Sequence, residues 1–316
     1  MALWSSMEHQ SVLLKETIDM LDVKKDGIYV DCTLGRGGHS EQILKRCPQG
    51  FLYCLDCDQE AIDQSTKRLL KVSNNFKCIH TSFENLKEVL AKEGVFGVDG
   101  IVMDLGVSSP QFDDPSRGFS YRFDARLDMR MDQSQEMDAW KVINTYDQKD
   151  LFRIFRDYGQ DPNAYRIASQ VVKARQQHPI DTTFQLVDVI KSCLPAKVLS
   201  KKGHPAKQIF QAIRIEVNRE LLQLEIVLRD AISLLKPGGR LAVITFHSLE
   251  DTIVKRMFRD VAVQKKADRR LPQLGIEKLE YELISKKPVT ASRQELEENF
   301  RSHSAKLRGL KKLGAN

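Results

Sequence analysis

The ten residues Asp31-Cys32-Thr33-Leu34-Gly35-Arg36-Gly37-Gly38-His39-Ser40 constrain this chain more than any other stretch. Before them, Gly27-Ile28-Tyr29-Val30 is short and apolar, the pattern of a buried strand. After them, Glu41-Gln42-Ile43-Leu44-Lys45 reads as the opening of a helix. Strand, glycine turn and helix form the unit that brings a backbone close to a polar ligand. Gly35, Gly37 and Gly38 carry no Cβ, so the turn can be tight and a ligand can lie against it. The first N–H groups of the helix have no intrahelical partner and face that ligand.

The spacing limits which ligand fits. A dinucleotide fingerprint needs G-x-G-x-x-G. Counting from Gly35, Gly37 fits, but the third position holds Ser40, so the glycine needed for close helix–strand packing is missing. That counts against an NAD-dependent oxidoreductase. What stands instead, Asp31-x-x-x-Gly35-x-Gly37, resembles the first motif of Rossmann-like methyltransferases that bind S-adenosylmethionine. In that resemblance the acid helps hold the amino-acid end of the cofactor. A second strand, Phe51 to Leu55, ends in Asp56. This carboxylate lies 21 positions after Gly35, close to the ~20 expected of an acid that accepts hydrogen bonds from ribose hydroxyls.

The pattern continues. Phe76 to His80 reads as a third strand, followed by Thr81-Ser82-Phe83, and Gly100 to Asp104 as a fourth. Helical stretches at Glu60–Leu70 and Glu84–Lys92 separate them, and an amphipathic helix from His9 to Leu21 precedes them. Strands alternating with helices predict a parallel sheet with right-handed crossovers. Ligands in such sheets bind beyond the carboxyl ends of the strands. Gly37, Asp56, Phe83 and Asp104 all fall there. The Phe83 ring could stack on a base beside the cofactor or belong to the core.

After Asp104 the alternation stops. Leu105 to Met131 is loop-like, and from about Asp138 to Leu234 nearly everything reads helical, with a last helix over Ala206–Leu234. Sheet patterning returns at Leu241–Phe246, after the turn Lys236-Pro237-Gly238-Gly239. A helix follows at Leu249–Phe258, and Lys278–Ile284 and Ser304–Leu310 are the final strand candidates. The expectation is an α/β, Rossmann-like fold with an inserted helical domain. Residues 1–112 form the first part of the core, 113–203 the insertion, and 204–316 the second part with a basic tail. Residues 1–6 are excluded from fold reasoning.

Composition narrows the classes. With 41% hydrophobic residues, the 316-residue chain can build a substantial core. No run approaches the ~18 apolar residues of a membrane span, and the N-terminal stretch lacks the form of a signal peptide. The six cysteines supply no paired zinc spacing, so no metal site is expected. They read as buried apolar thiols of a reducing compartment. The net charge of +6 is uneven. Lys255 to Asn316 carries 16 basic against 8 acidic residues and leaves the remainder at −2, which suggests a polyanionic partner or a solvated face.

Longer strings carry a closer resemblance. They are Gly35-Arg36-Gly37-Gly38-His39-Ser40, Asp104 to Gln111, Arg117 to Ser120 and Leu127 to Asp132. Phe210 to Asn218, Phe246 to Asp251 and Ser304 to Arg308 complete the set. Together they resemble the ribosomal RNA small subunit methyltransferase H family, over about His9 to Arg308. The resemblance implies a class I S-adenosylmethionine-dependent fold and methylation of N4 of a cytidine in 16S rRNA. It implies cofactor contacts at Gly37, Gly38, His39, Asp56, Phe83, Asp104 and Gln111, and a substrate-recognition role for the insertion. It implies a cytoplasmic enzyme acting on the small ribosomal subunit, and it allows a homodimer. Arg126, Gly159-Gln160-Asp161 and Phe300 depart from the family's usual residues.

The chemistry leaves several candidates open. The cytosine amino nitrogen conjugates with its ring, so acceptors on its hydrogens help to free its lone pair. Asp104, Ser108 and Ser109 are the catalytic candidates, with Gln111 on the same loop. His247 could reach the pocket or be a satisfied structural histidine. Arg117, Phe119, Arg126 and Arg130 could hold phosphates or stack on bases; pairing with Asp124, Asp128 and Asp132 is the alternative. A non-catalytic binder that keeps a vestigial pocket is the competing class, and its signature would be a damaged motif.

Overall fold

The computed structural model describes residues 11–107, 111–112, 114–264 and 279–314. The chain divides into two compact units. The first joins the residues up to Gly106 to those from Leu221 onward, and the second is Val107–Glu220.

The first unit is built on a seven-stranded sheet of order β3-β2-β1-β4-β5-β7-β6. Its strands are β1 (Ile28–Asp31), β2 (Phe51–Asp56), β3 (Phe76–His80), β4 (Val98–Asp104), β5 (Leu235–Thr245), β6 (Tyr281–Leu283) and β7 (Lys306–Lys312). The first five run parallel, and β7 lies antiparallel between β5 and β6. This is the Rossmann-like arrangement, with the order reversing between β1 and β4, where ligands of such sheets bind.

Period-two alternation assigns the faces. Val30, Ile101, Met103, Leu241 and Val243 point to one side. There they pack with residues of α4 (Leu86–Lys92), of the helix Glu220–Leu234 and of the helix Ser248–Ala262. Tyr29, Leu52, Val102, Ala242 and Ile244 point to the other. They meet α1 (Leu14–Leu21), α2 (Gly38–Arg46) and α3 (Gln59–Leu69). The Tyr29 ring lies so close to Gly100 that a Cβ there would sit 2.8 Å from it.

Two motifs far apart in sequence meet here. Arg308 donates from Nε to Asp251 Oδ1 at 2.7 Å, and Lys306 donates to Asp251 Oδ2 at 3.2 Å. Burial alone would raise the Asp251 carboxyl, but Arg308 and Lys306 outweigh it and hold it below the usual carboxylate range. Both Asp251 and Arg308 keep only 12% of the side chain exposed. Asp251→Ala is therefore expected to cost about 3 kcal/mol, because it leaves the guanidinium buried and unpaired. Urea denaturation of the variant checks this.

The second unit is helical: α5 (Ala139–Thr145), α6 (Gln148–Asp157), α7 (Ala164–Arg175), α8 (Thr183–Cys193), α9 (Ala196–Leu199) and α10 (Lys207–Asn218). They share a core that includes Ile154, Phe155, Ile167, Val171, Leu186 and Ile190.

The expected helix Ala206–Leu234 is two helices. Arg219 adopts φ +52°, ending α10 and starting α11 (Glu220–Leu234) at the border of the units. Ile209, Phe210, Ile213 and Val217 of α10 belong to the core of the second unit, so the insertion extends beyond residue 203. The turn at Lys236–Gly239 is an irregularity within β5: Leu235 pairs with Val98 and Arg240 with Gly100. The first helix begins later than expected, because Leu13 adopts φ +50°; residues 9 and 10 lie outside the described part. Cys32, Cys47 and Cys54 are buried, as expected, but Cys57, Cys78 and Cys193 are half-buried.

Candidate active site at the strand ends

The glycine turn is fixed from three sides. Asp31, 2% exposed at the end of β1, accepts from the Thr33 N–H at 3.1 Å and from the Ser40 hydroxyl at 2.7 Å. Ser40 thus stands where a dinucleotide fold has glycine because its hydroxyl ties α2 to the β1 carboxylate. Asp56 closes the turn from β2: its Oδ2 accepts from the Gly35 N–H at 2.8 Å, and its Oδ1 from the Asp58 N–H at 2.9 Å. Ser65 of α3 donates to the Gly35 carbonyl at 2.7 Å. Gly35 and Gly37 have φ of +47° and +73°, and a Cβ at Gly37 would press on Ser65 at 3.3 Å. Glycine is required here both for the backbone angle and for the space.

Beside the turn, His39 in the first turn of α2 is 4% exposed. Its Nδ1 stands 3.8 Å from Asp104 Oδ2. The Asp104 N–H donates to Thr33 Oγ1 at 2.6 Å, which seats the end of β4 against the turn. Thr33 was not singled out from sequence; its place between the Asp31 strand end and Gly35 was the available signal. Phe83 opens the short helical turn Phe83–Asn85 after β3 and rests half-buried on the apolar core. Gly37, Gly38, His39, Asp56, Phe83 and Asp104 all sit at the carboxyl ends of β1 to β4, as the alternation requires.

The electrostatics are those of a desolvated acidic pocket. Burial, joined by the charges of Asp31 and Glu250, pushes the Asp104 carboxyl up to about 8. Burial likewise raises Asp31 to about 6 and raises Asp56. Burial lowers His39 to about 4, against a raising contribution from the Val12 backbone. Near pH 7 the imidazole is neutral and faces a protonated carboxyl, so the 3.8 Å approach is not an ion pair.

Two buried atoms of this cradle, His39 Nε2 and Asp104 Oδ1, have no hydrogen-bond partner. Buried polar atoms are rarely left so, and a polar ligand would satisfy both. The donor set fits S-adenosylmethionine. The first N–H groups of α2, which have no intrahelical partner, suit its amino-acid end, and unused lone pairs on Asp56 suit ribose hydroxyls.

Other candidates are placed differently. His247 follows β5 as the N-cap of α12 (Ser248–Ala262): its Nδ1 accepts from the Glu250 N–H at 3.4 Å, and Glu250 Oε2 accepts from the Phe246 and His247 N–H groups. That is a capping role, and its Nε2 is left buried without a hydrogen-bond partner. Gln111 belongs to the second unit and is buried. Ser108 and Ser109 lie outside the described residues. In the second unit the arginines are engaged. Arg130 holds Asp128 with two bonds, 2.9 and 2.7 Å, and Arg126 meets Asp138 at 2.7 Å. Arg117 is buried and donates to the carbonyls of Arg130 and Met131. Phe119 is a core residue, 5% exposed, and does not present a stacking face.

Residues 6–313 match the model of the MraW methylase family. The chain belongs to the MraW methylase family. Among its curated relatives is the ribosomal RNA small subunit methyltransferase H of Oenococcus oeni, 51% identical over 308 residues, covering 96% of this chain and 98% of the relative. The protein of the same name from Streptococcus mutans is 50% identical over 314 residues, covering 98% and 99%. Like other MraW methylases, the protein is an S-adenosylmethionine-dependent methyltransferase, and the cradle between β1, β2 and β4 is the part of the fold suited to that cofactor. No helix among the described residues is long and apolar enough to cross a membrane.

Proposed function

We propose that the protein transfers a methyl group from S-adenosylmethionine to N4 of a cytidine in the 16S rRNA of the small ribosomal subunit. The observation that carries this reading is identity of about half the residues, over nearly the full length, with proteins named for small-subunit rRNA methylation. The intact glycine turn supports catalysis over a vestigial binder.

S-adenosylmethionine supplies an electrophilic methyl group on a sulfonium. The protein's task is orientation: the amino nitrogen must stand behind that methyl in line with the breaking bond. Gly37, Gly38 and His39 line the turn for the amino-acid end, Asp56 receives the ribose, and Phe83 flanks the adenine. Asp104 is the acceptor for an amino hydrogen of the target base, a reading its unpartnered Oδ1 supports. Gln111, Ser108 and Ser109 are the further candidates, from the sequence that follows Asp104. A base must leave its stack before this edge is reached. The second unit, inserted between β4 and β5, is the substrate-recognition part.

Asp56→Ala is expected to weaken S-adenosylmethionine binding by about 1.5–3 kcal/mol, through loss of charge-assisted hydrogen bonds. The same carboxylate holds the Gly35 and Asp58 N–H groups, so melting should also fall by a few degrees. Calorimetric titration of the folded variant at wild-type affinity would reject the ribose role. Titrating the wild type with S-adenosylmethionine and with NAD tests the cofactor assignment: heat only with the first is expected.

The basic C-terminal portion is the proposed phosphate-contacting face. Lys286 and Lys287 are exposed in the connection after β6. Neutralising both should flatten the salt dependence of RNA binding by up to about one unit of slope per lost contact. An unchanged slope would place the RNA path elsewhere.

A further inference from the structure

The second unit carries a cavity that the methyl-transfer site does not use. Its volume is about 500 Å³, and Arg126, Trp140, Asp181 and Thr182 line it. That is ample for one flat ring system, since small-ligand sites run from about 300 to 1,000 Å³.

The backbone sets these side chains. Arg126 and Thr182 are partners in an antiparallel bridge, and the Leu127 N–H donates to the Asp181 carbonyl at 2.9 Å. Trp140 lies in the first turn of α5, behind the N-cap Asp138. Its indole N–H donates to Asp181 Oδ1 at 2.7 Å, an exposed bond that orients both groups. Arg126 is held by Asp138 at 2.7 Å and Asp128 at 3.3 Å, yet its side chain is 55% exposed. Phe123 and Phe184, three residues before Arg126 and two after Thr182, are 46% and 43% exposed.

The charges disfavour a phosphate against this wall. Asp128 and Asp138 already balance Arg126, and Asp181 adds a negative charge at the wall. Arg126 in turn disfavours a lysine or arginine side chain. An indole and a guanidinium plane offer stacking faces, and Asp181 offers acceptor lone pairs beside them. Single-stranded bases in RNA are recognised by stacking on aromatic or arginine planes and by hydrogen bonds to their pairing edge. Guanine is the base whose pairing edge presents two adjacent donors, N1–H and N2–H, which one carboxylate can accept together.

We propose that this cavity takes one unpaired guanine of the RNA substrate, stacked against Trp140 and Arg126, with its pairing edge on Asp181. This rests on the rRNA reading above and adds a base-specific contact within the second unit.

Trp140 can be watched directly. The chain has two tryptophans, Trp4 and Trp140, so Trp4→Phe leaves Trp140 as the only indole reporter. In that protein, guanosine 5′-monophosphate should quench fluorescence saturably, with adenosine, cytidine and uridine monophosphates about tenfold weaker or more. Asp181→Asn keeps an acceptor for the indole N–H but turns an amide donor toward the guanine edge. It should weaken the guanosine response about tenfold and raise KM for small-subunit RNA about tenfold, with kcat and S-adenosylmethionine affinity unchanged. A flat guanosine titration, equal responses to all four nucleotides, stronger quenching by N-acetyl-lysine amide, or an Asp181→Asn enzyme with wild-type KM each overturns the guanine site. If these occur while the wild type methylates RNA, the proposed function stands and the guanine site alone falls. A wild type that binds S-adenosylmethionine and transfers nothing to RNA sinks both.

Discussion

Asp104→Asn is expected to lower the rate of methyl transfer by about 10²–10⁴-fold, the range for removing a positioned proton acceptor, while making the protein more stable. The amide keeps the shape of the side chain but cannot take the charge that favours an amino hydrogen of the target base. The stability gain follows from the direction of the shift. Burial raises the Asp104 carboxyl to about 8 in the folded protein, against about 4 in an unfolded chain. Between those values the unfolded state has released a proton that the folded state retains. Wild-type stability from this group is therefore full below about pH 4, falls as pH rises, and levels off above about pH 8. A quarter of the side chain is exposed, which discounts the effect to on the order of 2–4 kcal/mol. Thermal melts of both proteins from pH 5 to 9, set roughly one unit apart, should diverge toward alkaline pH. A cationic sulfonium also favours the ionised carboxyl, so wild-type cofactor affinity should tighten as pH rises toward 8, and the variant should lose that dependence. Parallel melting curves would show that Asp104 is not held protonated.

Replacing Val107–Glu220 with a flexible linker should abolish RNA methylation and leave a folded protein. All seven strands lie outside that span, so the sheet is kept whole. Gly37, Gly38, His39, Asp56, Phe83 and Asp104 all lie outside it, so cofactor binding should survive. The shorter excision of 113–203, suggested by the sequence pattern, should fail differently. It strips α10 of the core into which Ile209, Phe210, Ile213 and Val217 pack. Each exposed side chain then forfeits roughly 1.5–3 kcal/mol of burial, and the product should aggregate. Circular dichroism and cofactor calorimetry on the two proteins separate these outcomes. A longer excision that still methylates small-subunit RNA at the wild-type rate would remove the substrate role of the second unit.

Some of this was legible in the chain because local chemistry specified it. Three glycines between a strand and a helix force the turn, and an acid about twenty residues later lands on the next strand end, so the sequence put Asp56 at the ligand edge, while its bond to the Gly35 N–H was not legible. What was not legible depends on distant partners. Nothing about an arginine marks it for a left-handed backbone, so the break at Arg219 was hidden inside an unbroken helical pattern. Phe246-to-Asp251 and Ser304-to-Arg308 stood out as strings, but their meeting through Asp251 and Arg308 follows from β7 pairing with β5. Ser40 read as a missing glycine; its positive role appears only once Asp31 is seen to need a donor. For the arginines around Asp128 the sequence left phosphate contacts and pairing with nearby aspartates both open, and the structure shows Arg130 paired with Asp128 within its own loop.

The most direct measurement is to supply the purified protein with S-adenosylmethionine labelled in its methyl group and with small ribosomal subunits. The rRNA is then digested to nucleosides and the labelled species identified by mass. The account predicts one labelled nucleoside, N4-methylcytidine, formed by the wild type and reduced about a hundredfold or more with Asp104→Asn. Label on a ring carbon, label in protein alone, or no transfer by a folded enzyme that binds S-adenosylmethionine would contradict it.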